Sequence, residues 1–221
     1  MLSLRWWYYY QRMETSHPPS RTRLLRAGKT LMAEVGYEHA ATAAIARRAA
    51  TSESQLVRYF GGKAGLLEAV FDDGWQRINA RIHGLIDTQQ DTRTALTAVL
   101  AMFIAAMDDD PDLAQLFLFE ARRPRGVHGE LKLSQGYLDF LDRMHQLIRR
   151  GQGDGTLAPA FSSEVLLSAL LGAAEAMVRD RLLGSRRGER TRRSGSEVQR
   201  VFDAMLTGFA PVSRSGMLSQ S

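Results

Sequence analysis

The 221-residue sequence contains no cysteine, which excludes disulfides and thiolate metal sites. No uninterrupted apolar run approaches the ~20 residues that a membrane-spanning helix needs. The first twenty residues lack the basic start, aliphatic core and small-residue cleavage site of a secretory signal. A cytoplasmic protein with no membrane contact is the expectation. No stretch shows the strict alternation of a half-buried strand. Enzymatic signatures are missing too: there is no glycine-rich phosphate loop before a lysine and no serine-centred elbow. His83, His128 and His145 have no partner at metal-ligand spacing, so neither a metal nor a cofactor is expected. Asp108-Asp109-Asp110 reads as capping and solubility at a helix junction, and Asp72-Asp73 has no nearby histidine.

What is present is an ordinary globular composition, 44% hydrophobic and 24% charged, with an uneven distribution of charge. Residues 1–63 hold ten Lys/Arg against four Asp/Glu, a net of +6, whereas the remainder is close to neutral at −1. A basic head on a neutral body suits a polyanionic partner, because each neutralised phosphate releases condensed counterions.

Residues 1–20 read as a disordered extension. Trp6-Trp7-Tyr8-Tyr9-Tyr10 follows neither period, and His17-Pro18-Pro19-Ser20 breaks the chain; Met13 is a second candidate start. An arm that stacks on bases or a partner is the other reading of the aromatic cluster. From Arg21, Leu24, Gly28, Leu31, Met32 and Val35 repeat at helical spacing, with Gly36 as the stop. Thr42 is placed to cap a short helix with Ile45 and Ala49 inward and Arg47 and Arg48 outside. Ser52 then opens a second helix with Leu56 and Tyr59 or Phe60 inward. Gly61-Gly62 precede a long helix over about 64–86, with Leu67, Val70, Phe71, Trp75, Ile78, Ile82 and Ile86 on its apolar stripe.

Asp91 or Thr92 caps the next helix, with Leu96, Val99, Leu100, Phe103 and Met107 inside, and Asp110-Pro111 starts another that breaks near 124–126. A helix over 129–150 turns Tyr137, Leu141, Met144 and Ile148 inward. The glycines at 151–155 read as a loop before a strongly apolar helix over 163–183. The basic run 186–193 reads as a solvated loop. Ser196-x-x-Gln199 reads as a capping box opening the last helix, with Val198, Val201, Phe202, Met205 and Phe209 inward. The fold class is all-α, with about nine helices.

Residues 42–63, TAAIARRAATSESQLVRYFGGK, have the layout of a helix-turn-helix whose second helix enters the DNA major groove. Ile-Ala-x-x-Ala, Ser-x-x-x-Leu, Tyr-Phe, Gly-x-Lys and Leu-Leu, over residues 21–71, closely resemble the N-terminal domain of TetR-family (tetracycline-repressor-like) regulators. The resemblance implies a disordered extension at 1–20 and a three-helix DNA-binding domain at 21–66. A helical regulatory and dimerisation bundle follows at 67–211, with a tail at 212–221. Within the helix-turn-helix at 41–60, Ser52, with Gln55 at N3, forms a capping box. Glu53, Ser54, Gln55 and Arg58 are the exposed reading face, where Gln55 pairs with adenine and Arg58 with guanine or phosphate. Glu53 can accept from cytosine or simply favour the helix N-terminus. Thr42, Tyr59 and Lys63 match family positions that contact phosphate, and Arg47 is an additional basic contact.

Two residues depart from the family pattern. Ala50 stands where glycine is usual in the turn, and a left-handed alanine there costs roughly 1 kcal/mol. Val57 replaces an aromatic that touches phosphate.

For the body, the resemblance implies a homodimer through helices at about 163–183 and 196–210. Ala169, Gly172, Ala173 and Ala176 permit close approach there. It also implies a cavity for a small-molecule effector of unknown identity, with Trp75, Met102, Phe103, Met107, Phe117, Met144 and Met177 as candidate lining. The function so implied is a ligand-responsive repressor on a palindromic duplex operator. An activator is the alternative within the class; a helical small-molecule carrier or enzyme without DNA binding is the alternative outside it.

Overall fold

The computed structural model describes residues 18–88, 91–121, 133–186 and 195–211. These form nine helices and no strand. They are α1 (Ser20–Val35), α2 (Thr42–Arg48), α3 (Glu53–Phe60), α4 (Lys63–Thr88), α5 (Thr92–Asp109), α6 (Pro111–Phe119), α7 (Gln135–Gly153), α8 (Ser163–Arg186) and α9 (Gly195–Gly208). The chain divides into two compact units between Val70 and Phe71, within α4. The aromatic cluster at 6–10, Met13, the expected break at 124–126, most of the 186–193 run and the 212–221 tail lie outside the described residues.

In the first unit, α1, α2 and α3 close on a core of Leu24, Ala27, Met32, Ile45, Ala46, Ala49, Leu56 and Leu66, all buried. The 3.6-residue period accounts for most of this face. Gly28 is small of necessity, since a Cβ there would stand 2.6 Å from Leu66 Cδ2. The last turn of α1 differs from the expected pattern: Leu31 is half-buried and Val35 exposed, because Ala27 and Ala33 carry the face instead. Gly36 and Gly61 end α1 and α3 with φ of 81° and 71°, backbone that favours glycine.

In the second unit α5 is the element against which α6, α7, α8 and α9 pack. Its inner face is Leu96, Val99, Leu100, Phe103 and Met107, as the spacing predicts. Asp91 caps it, accepting from the Thr94 backbone N–H at 2.7 Å. Asp110 caps α6 through the Leu113 N–H at 3.1 Å, with Pro111 in the first turn.

Several expectations are corrected here. α7 is described from Gln135, with Ser134 as N-cap, and it runs through Gly151 to Gly153, so these glycines are helical rather than loop. Gly151 sits where a Cβ would come within 2.9 Å of Thr92 Cγ2. The α7 core face is Phe140, Met144, Leu147 and Ile148, with Tyr137 and Leu141 only half-buried. In α9, Val201 points out at 40% exposure while Leu206 is buried; Ser196 lies inside the helix, not before it.

Candidate nucleic-acid interface

The helix-turn-helix is built around its turn. Ala49 ends α2, and Ala50 follows with φ 48°, the one non-glycine residue with positive φ among the described residues. The Ala50 N–H donates to Arg47 O at 3.1 Å and the Thr51 N–H to Ala46 O at 3.0 Å, the paired bonds of a Schellman ending. The turn therefore keeps the left-handed backbone that a glycine would adopt freely. Arg23, on α1, braces it from outside: Nε donates to Ala49 O at 2.9 Å and Nη2 to Ala50 O at 3.2 Å. Residues 23 and 49 are far apart in sequence, and no local spacing signals the brace.

Ser52 is the N-cap of α3, its Oγ accepting from the Gln55 N–H at 3.3 Å. The other half of the expected capping box does not form. Gln55 is half-buried, and its Oε1 accepts from the Thr51 hydroxyl at 2.6 Å. Thr42 is not a cap either; Ala41 holds that place. The Thr42 hydroxyl instead donates to Glu53 Oε2 at 2.6 Å, tying the start of α2 to the start of α3.

Leu56 anchors α3 in the core, leaving Ser54, Val57 and Arg58 on the open side. Tyr59, one of the two alternatives for the inner face, is 39% exposed. The Arg58 guanidinium stacks over its ring at 5.2 Å, which restrains the arginine head. Arg47 is exposed at the end of α2. Arg48 is held by Glu34 through bonds of 2.6 and 2.9 Å, and that contact keeps the Glu34 carboxyl below its usual range. Lys63, the expected phosphate anchor, has an internal role: Nζ donates to Tyr37 O at 2.9 Å and Glu38 O at 3.0 Å and lies 4.5 Å from the Tyr37 ring centre.

The second unit contains a separate apolar cavity of ≈ 50 Å³. Trp75 is its floor, stacked on Phe117 at 4.7 Å and 13° and flanked by Phe103 at 6.3 Å. Of the candidate lining residues, Trp75, Phe103, Met107 and Phe117 are there; Met102, Met144 and Met177 are not. Met144 is fully buried in the core, and the two others are half-buried elsewhere on their helices. Tyr137, Ser134 and Glu175 supply the polar part of the wall, which helical spacing alone did not single out. No group of three metal-ligating side chains occurs among the described residues, and no described helix is long and apolar enough to cross a membrane.

Comparison with known proteins places this geometry. Residues 24–70 match the family described as "Bacterial regulatory proteins, tetR family". The HTH-type transcriptional regulator UidR of Escherichia coli K12 is 23% identical over 164 residues, covering 72% of this chain and 82% of that protein. The transcriptional regulator FadR from Bacillus subtilis, solved in complex with stearoyl-CoA, superposes with a TM-score of 0.74 at 16% identity, over 84% of this chain and 96% of that one. The fatty acid degradation regulator FadR from Bacillus halodurans gives 0.73 at 17% identity, over 87% and 96% of the two chains. These superpositions establish the shared fold.

Proposed function

We propose that this chain, which belongs to the tetR family of bacterial regulatory proteins, acts as a homodimeric repressor that leaves its operator when a small apolar effector binds. The observation that carries the DNA-reading part is the helix-turn-helix itself, a capped, buried-side-anchored α3 with Ser54, Val57 and Arg58 facing out of a basic unit. In the major groove such a helix reads base edges with its first turns.

Homodimer formation is supported by the outer faces of α8 and α9. Val165 is 59% exposed and Leu183 is exposed too, with Ala169 and Gly172 open between them at spacings of three and four residues. On α9, Val201, Ala204 and Gly208 repeat the same pattern. An apolar, small-residue stripe on each of two helices suits a close four-helix seam with a second copy. Two-fold symmetry then sets two α3 helices about one turn of duplex apart, about 34 Å.

The effector reading rests on the Trp75 cavity. At ≈ 50 Å³ it is far below the roughly 300–1,000 Å³ of a ligand pocket. An effector therefore enters only by spreading Trp75, Phe103 and Phe117. Differential affinity for the spread and closed forms is what a ligand needs to shift a two-state equilibrium. Phe71 and Trp75 belong to α4, the helix whose first turns lie in the DNA-reading unit. The stearoyl-CoA held by the Bacillus subtilis FadR is an example of a ligand with a long apolar body.

In vitro selection of duplexes from a random pool tests the reading. A palindrome with half-sites one helical turn apart is the expected result; recovery of unrelated sequences refutes it.

A further inference from the structure

We propose that Val57 is a base-reading residue that recognises the C5 methyl group of a thymine in each operator half-site. The inference rests on the DNA-reading function argued above and extends it to a residue whose type offers no hydrogen bond. Val57 is 56% exposed on α3, whereas its neighbour Leu56 is fully buried. It serves neither the core nor the helix: a β-branched residue at an open helical position is a poorer choice than most polar ones. An isolated valine on an ordinary surface would carry no message. This one flanks Ser54, three residues earlier, with Arg58 on the other side of the same open face.

The polar groups that would otherwise dominate this part of the helix are engaged internally. Glu53 accepts from Thr42 and the Gln55 carbonyl oxygen accepts from Thr51. The reading face thus narrows to a hydroxyl, an isopropyl group and a guanidinium. A side chain without donor or acceptor gains nothing from phosphate oxygens or from polar base edges. The one apolar feature that the major groove offers is the thymine methyl. Packing an isopropyl group on it removes both from water, and is worth roughly a threefold to fivefold change in affinity per half-site.

The test uses the full-length protein and the duplex recovered by selection, with each thymine replaced in turn by deoxyuridine, which lacks only the methyl. For the wild type, one position per half-site is expected to show the threefold to fivefold loss. Val57→Ala should bind the thymine and uracil duplexes alike at that position while retaining the other preferences. Val57→Thr, which keeps one methyl, should retain part of the discrimination. Tolerance of uracil at every position, or an undiminished uracil effect in Val57→Ala, overturns the inference and leaves DNA recognition standing. Failure to select any duplex overturns both.

Discussion

Ala50 is the position at which one methyl group should weaken the reading unit. Its φ of 48° lies in the left-handed region, which costs an L-residue with a Cβ about 1–2 kcal/mol. Ala50→Gly relieves that cost, and the greater freedom of glycine in the unfolded chain offsets about 0.4–1 kcal/mol of the gain. The methyl is exposed, so its removal leaves no cavity, and the bonds from Ala50 N to Arg47 O and from Arg23 to Ala50 O use backbone atoms that glycine retains. The net expectation is a stabilisation of about 0.5–1 kcal/mol, a twofold to fivefold rise in hydrogen-exchange protection. Native-state hydrogen exchange on the full chain is the suitable assay because it reports the amides of α2 and α3 separately from the second unit. Ala50→Val should move the same amides the other way, since a β-branched residue tolerates positive φ least. Unchanged or reduced protection in Ala50→Gly would refute the strain argument.

Other consequences are as direct. Lys63→Met keeps much of the aliphatic stem but leaves Tyr37 O and Glu38 O without their donor; a loss of about 1–3 kcal/mol in the stability of the reading unit should appear in denaturation, and an unaltered midpoint would return Lys63 to a purely DNA-facing role. Gly172 has no heavy atom within 4 Å of a built Cβ; Gly172→Leu should leave the helical spectrum intact yet shift sedimentation from dimer to monomer, and a persisting dimer would place the seam elsewhere. The Asp91 carboxyl is held below its ordinary value by bonds from the Thr94 hydroxyl and backbone N–H. Its contribution is present above about pH 4 and lost as pH falls through the lowered native value. Asp91→Asn should therefore flatten the acid limb of a stability-against-pH curve, and an unchanged limb would contradict that assignment.

The helices and their inner faces were legible in the sequence because burial on a helix repeats every three or four residues, as with Leu96, Val99, Leu100, Phe103 and Met107 on α5. Caps were legible where the capping residue and its partner are three apart, as with Ser52 and Gln55 N, or Asp110 and Leu113 N. Side-chain pairing across the turn was not. Thr42 with Glu53, Lys63 with Tyr37 and Glu38, and Arg23 with Ala49 join residues eleven to twenty-six apart, a relation that only the packed helices create. Val201 shows a different limit: an apolar residue on a two-faced helix carries the same pattern whether it meets its own core or a second copy. The cavity follows the same logic. Trp75, Phe103, Met107 and Phe117 converge, whereas Met144, equally well placed on its helix, is absorbed into the core.

The central claim, that the open face of α3 reads sequence, is tested most directly through Arg58. Its guanidinium is exposed, stacked on Tyr59 and placed beside Ser54 and Val57. Arg58→Ala should weaken binding to the selected operator by about 1–3 kcal/mol, roughly tenfold to a hundredfold, with little change on random duplex at the same salt. An equal loss on both duplexes, or no loss on either, would contradict it.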